Sequence, residues 1–73
     1  MNFGDSFKRF RQERGLTQQQ VADTLHIHKQ AYQRYESGKV VPSIEVLVKI
    51  ADAYNLSTDY LLGRSDISSV KEQ

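Results

Sequence analysis

Lys29, Gln30, Gln33 and Arg34 carry the chemistry that the chain offers most plainly. On a helical wheel at ~100° per residue they fall on one side with Ser37, while Ala31, Tyr32 and Tyr35 fall on the other. A glutamine amide pairs bidentately with adenine, and a lysine or arginine with guanine. A helix face with two amides and two cations therefore suits base edges in the DNA major groove. The one acid in the stretch, Glu36, lies at the edge of that face beside Tyr32. An ordinary solvated helix face uses the same residue types, so the elements around this one must decide its meaning. Other chemistry has little to stand on. His26 and His28, without cysteine or a nearby acid pair, make a poor metal site, so no metal and no cofactor are expected. No nucleophile with a base and no phosphate-cradling glycine loop occurs, so no enzyme is expected.

The helix that carries these residues is one of several. Phe3, Phe7 and Phe10 fall on one face of a first helix, which Gly15 follows as a C′ glycine. Thr17 and Gln20 form a capping box for a second helix, about Gln18 to Leu25, and Leu16 with Val21 makes a hydrophobic staple. A turn at His26-Ile27 leads to the third helix, about Lys29 to Ser37, closed by Gly38. Ser43 caps a fourth, about Ile44 to Tyr54, and Ser57 caps a fifth, with Leu56 and Leu61 as a second staple and Gly63 closing it. Asn55-Leu56-Ser57 matches a glycosylation sequon but reads more simply as a turn and a cap. The few residues between helices two and three match a helix-turn-helix. The expected architecture is an all-α domain of five helices over residues 1–63, with a short polar tail at 64–73.

From Phe7 to Gly63 the chain resembles the Cro/repressor-type (Xre-like) helix-turn-helix family of transcriptional regulators. The matching residues include Arg14-Gly15-Leu16-Thr17-Gln18, Val21-Ala22, Tyr35-Glu36-Ser37-Gly38-Lys39, Pro42-Ser43 and Leu61-Leu62-Gly63. The spacing of Gly-Leu-Thr-Gln from Tyr-Glu-Ser-Gly-Lys, about twenty residues, is the specific part. The resemblance implies a five-helix lambda-repressor-like DNA-binding fold whose function is sequence-specific transcriptional regulation, a repressor being expected. It implies base reading by Lys29, Gln30, Gln33 and Arg34, and phosphate binding by Gln18, Lys39 and Ser43. It also implies a structural ion pair of Arg11 with Glu36. Arg9 and Arg14 read as solvated helix residues. Two positions depart from the family pattern: His26 where glycine is common in the turn, and His28 where serine or threonine is usual as the cap of helix three. Tyr32 stands where the family often has isoleucine or valine, and its hydroxyl needs a partner or water, which the DNA edge of the helix would offer.

Length and charge set the frame. A chain of 73 residues without cysteine holds one domain with a modest core and no disulfide, which fits a reducing cytoplasm. No signal peptide and no membrane span are evident. Net charge is only +1. Residues 1–41, however, hold seven basic and four acidic residues, and residues 42–73 three and five, so the basic half is the one that would face a polyanion. Helix four is broadly apolar: Ile44, Leu47, Val48, Ala51 and Tyr54 make one stripe, Val46 and Ile50 a second. It reads as the central core helix. Its surplus, with Tyr60, Leu61 and Ile67, is the expected face of a homodimer that reads two half-sites of double-stranded DNA. The competing reading is a protein-interaction module, such as an antitoxin or the partner-binding domain of a regulatory complex.

Overall fold

A computed structural model describes residues 3–64. Among them lie α1 (Phe3–Glu13), α2 (Gln18–Leu25), α3 (Lys29–Glu36), α4 (Ile44–Tyr54) and α5 (Thr58–Leu61). The chain signals that end and start these helices act as their chemistry requires. Thr17 Oγ1 accepts from Gln20 N at 3.0 Å, and Gln20 Oε1 accepts from Thr17 N at 2.8 Å, which closes the capping box. Ser43 and Ser57 cap α4 and α5 through Val46 N and Tyr60 N. His26 takes the left-handed conformation at the end of α2 (φ 59°, ψ 42°), with its N–H directed to the carbonyls of Ala22 and Asp23. His28 precedes α3 in extended conformation and makes no side-chain cap.

α1 packs against α3 and α5, α2 against α3 and α4, and α4 against α5. Their shared core is Phe7, Phe10, Val21, Ala22, Leu25, Tyr32, Ile50, Leu56, Tyr60 and Leu61, with Ala51 at its rim. Phe7 and Tyr32 stack with ring centroids 6.3 Å apart, and Tyr35 meets both rings edge-on. These aromatic contacts bind the back of α3 to α1.

Three expectations need correction. Tyr32 is fully buried, not at the edge of the helix toward DNA. Its ring fills the space between α1 and α3, which the apolar area of the ring drives more strongly than its hydroxyl opposes. Tyr60 and Leu61 are also fully buried and so form no outward face, while Ile67 lies outside the described residues. The long apolar stripe of α4 splits. Ile50 and Ala51 turn inward, with Val46, Leu47 and Tyr54 half-buried, whereas Ile44 and Val48 face solvent. A stripe of i, i+3, i+4 and i+7 positions is wider than the one groove that α4 fills.

Gly4 has a role that no local pattern announces. A Cβ there would stand 2.6 Å from the carbonyl oxygen of Glu36 and 3.0 Å from that of Tyr35. The start of α1 thus approaches the end of α3 along bare backbone. Alanine is favoured over glycine by about 1 kcal/mol in a helix, but the overlap should cost more, so Gly4→Ala is expected to lose about 1–2 kcal/mol in urea melts. His28→Thr should do the opposite. It supplies the missing cap, and is expected to raise stability by about 0.5–1 kcal/mol in the same assay.

Candidate nucleic-acid interface

The aromatic back of α3 fixes which side of it faces out. Lys29, Gln30, Gln33 and Arg34 are all exposed on that side. Ile27, half-buried in the turn, and the bond from Ile27 N to Ala22 O hold α3 at a set angle to α2. The base-reading residues named from the sequence are therefore brought together.

A chain of hydrogen bonds runs from this face into the body of the domain. Arg11 Nε and Nη2 donate to Glu36 Oε2 and Oε1 at 2.6 and 3.1 Å, and Arg11 Nη1 donates to the carbonyl of Leu16 at 3.1 Å. Gln18 Nε2 donates to Glu36 Oε1 at 3.1 Å, and Gln33 Nε2 donates to Gln18 Oε1 at 2.9 Å. The direction of this chain follows from Glu36. An ionised carboxylate only accepts, so Gln18 must offer it the amide N–H and turn its oxygen to Gln33. Gln33 is then left with one N–H and its carbonyl oxygen, the pair that an adenine edge takes. The ion pair expected between Arg11 and Glu36 is present and largely buried, with side-chain exposures of 14 and 5 %.

Burial alone would push the Glu36 carboxyl up, but the hydrogen bonds it receives, chiefly from Arg11 and also from Gln18, hold it below the ordinary value. The Glu36 carboxylate raises Arg11 in turn. The Tyr32 hydroxyl lies toward this pair without a well-formed hydrogen bond, and burial followed by the nearby carboxylate pushes it well above the ordinary tyrosine range.

Two grooves flank the recognition face. One, of about 730 Å³, is lined by Lys8, Gln18, Gln19, Lys29 and Gln33, with the Arg11–Glu36 pair at its floor. The first N–H groups of α2 open here, and such groups attract phosphate. The other, of about 380 Å³, is lined by Gln30, Gln33, Arg34, Ser37 and Lys39. Gln18 and Lys39 thus border the face from opposite sides. Ser43 lines neither groove, and its Oγ is engaged as the cap of α4, although its O–H is still a donor. Lys8 and Gln19 escaped the sequence reading. Lys8 was open to discovery, since it stands three residues before Arg11 on the same side of α1. Arg9 belongs elsewhere: it pairs with Glu13 at 3.5 Å and lies 5.3 Å over the Tyr60 ring. Among the described residues no cluster of His, Cys, Asp or Glu is arranged to hold a metal ion, and no helix is long and apolar enough to cross a membrane.

Two short helices joined by a tight turn, the second presenting amides and cations, define a helix-turn-helix domain. The chain belongs to the helix-turn-helix family of the Cro/repressor (Xre-like) type, whose family model matches residues 7–61. It is similar to the HTH-type transcriptional regulator ImmR of Bacillus subtilis, with 38% identity over 72 residues that cover 99% of this chain and 57% of that protein. It is also similar to the cryptic phage CTXphi transcriptional repressor RstR of Vibrio cholerae, with 52% identity over 48 residues, 66% of this chain and 43% of that protein. A crystal structure of a transcriptional regulator from Listeria innocua superposes with a TM-score of 0.79 at 32% identity, covering 99% of this chain and 63% of the other. The chain spans about half the length of the curated relatives it matches.

Removing one member of the ion pair leaves a buried charge behind. Arg11→Met and Glu36→Gln should each lose about 3 kcal/mol in urea melts, and the double variant less than the sum. The pH dependence has a definite sign. A carboxyl held low in the folded state contributes stability above its unfolded value, and that contribution fades as pH falls through the lower folded value. Wild-type stability should therefore decline below the ordinary glutamate value of 4.5, with a shallower decline in Glu36→Gln.

Proposed function

We propose that this chain is the DNA-binding domain of a transcriptional repressor and reads an operator half-site with α3. The observation that carries the proposal is the Gln33–Gln18–Glu36–Arg11 chain. It fixes a base-reading amide in advance on an exposed face and turns the only acid of α3 away from it. In this reading Lys29, Gln30, Gln33 and Arg34 meet base edges. The α2 amino end with Gln18 takes one phosphate, and Lys39 with Ser43 takes another on the far side. The similarity to RstR, named a phage transcriptional repressor, supports repression. A single domain of this size touches too few base pairs to select one site in a genome. A homodimer on two half-sites about one helical turn, ~34 Å, apart meets the need.

Selection of tight-binding duplexes from a random pool tests this. Wild type should yield a two-fold-symmetric motif. Gln30→Ala and Gln33→Ala should each lose ~1–3 kcal/mol and relax one position of it, while Lys39→Ala should weaken all sequences evenly and lower the salt slope by about 1. Weak binding without any motif would leave the domain a protein-interaction module.

A further inference from the structure

Glu36 lies at the floor of the larger groove with its side chain only 5 % exposed, too deep to meet a base itself. Arg11 fixes it there with two hydrogen bonds, at 2.6 and 3.1 Å, and is in turn anchored on the carbonyl of Leu16. From this carboxylate two amides run outward head to tail, Gln18 donating to Glu36 at 3.1 Å and Gln33 donating to Gln18 at 2.9 Å. A glutamine amide on its own turns over freely, since its two ends are alike in shape. Here neither can. Turning Gln18 over would set its oxygen against the carboxylate, and turning Gln33 over would set its oxygen against that of Gln18.

We propose that Glu36 is a positioning residue for base choice: it touches no base, yet through Gln18 it makes Gln33 accept adenine and refuse guanine. The inference rests on the operator reading given above and adds to it the base that one residue selects and the buried group that enforces the choice. Gln33 is exposed and is left with one N–H donor and one acceptor oxygen. Adenine offers the complement in the major groove, N7 to accept and the N6 amino group to donate. Guanine offers two acceptors there, N7 and O6, so a Gln33 held in this sense meets it oxygen to oxygen. A Gln33 free to turn over would offer guanine its N–H groups instead, and would take either purine. Gln30 supplies the contrast. It stands on the same exposed face but outside this chain of bonds, so Glu36 does not set the sense of its amide. The buried pair therefore acts on specificity at one base pair, apart from what it adds to stability.

Two arms test this, both with the whole chain. In the first, duplexes are selected from a random pool by wild type, by Gln18→Met and by Arg11→Met/Glu36→Met, and Gln33→Ala identifies the base pair that Gln33 reads. Gln18→Met cuts the chain of bonds but leaves the ion pair intact. The double variant replaces the pair by apolar side chains rather than stranding one charge. Circular dichroism should show both folded. Wild type should prefer adenine to guanine at the Gln33 base pair by about tenfold or more. Both variants should narrow that ratio to about twofold or less, with the preference at the Gln30 base pair unchanged. Gln18→Met also gives up a phosphate contact, which lowers all sequences together and leaves ratios alone. A merely structural pair would change affinity evenly, and an unchanged adenine-to-guanine ratio in the variants would overturn the proposal, as would guanine at that position for wild type. In the second arm, side-chain amide spectra of the free chain are recorded. The Gln33 amide signals should move toward those of an ordinary exposed glutamine in the double variant, although the substitutions lie two links away. A Gln33 amide that does not respond would overturn the proposal as well. If wild type selects no motif, the operator reading falls by itself, and the amide spectra still decide whether Glu36 directs Gln33.

Discussion

Arg11 and Glu36 lie 25 residues apart in the chain, on α1 and at the last turn of α3, and the geometry of the recognition face depends on their meeting. Glu36 takes two hydrogen bonds from Arg11 and one from Gln18, and each does different work. The first two bind α3 to the helix behind it. The third orients Gln18, which then orients Gln33. A charge placed under the site thus sets the direction of an amide on its surface. A hydrophobic contact at the same position would hold the helices together as well. It would not distinguish the two ends of a glutamine side chain.

Much of the fold was legible because it is written in local chemistry. Thr17 with Gln20, Ser43 and Ser57 announce helix starts through side-chain bonds that span three residues, and the structure bounds α2 and α4 as those caps require. What was not legible is set by contacts distant in sequence. Gly4 looks like an ordinary weak point of a helix until α3 is laid across it. Tyr32 looks amphipathic until Phe7 takes its ring. The exposure of Ile44 and Val48 could not be separated from the burial of Ile50 and Ala51, because periodicity gives the width of an apolar stripe but not the width of the groove that receives it.

The recognition face shows the same division. Helical spacing alone put Lys29, Gln30, Gln33 and Arg34 on one side, and the family resemblance implied the Arg11–Glu36 pair and a phosphate role for Gln18. Neither revealed that Gln18 bridges Gln33 to Glu36, since that bond links the first residue of α2 to the middle of α3 and depends on the angle between them. Lys8 joins the same groove only because α1 runs behind it. Spacing along one helix is readable from a list of residues, whereas convergence of three helices on one groove is a property of their packing.

A domain of this kind faces two demands that pull in opposite directions. In the proposed operator reading, base edges require polar side chains held still, and the buried ion pair holds Gln33 from below through Gln18. Selecting one operator among many sites requires more base pairs than one α3 can touch, which is the reason a second copy was proposed. A large apolar interface would meet the second demand but fix the spacing of two recognition helices before DNA is found.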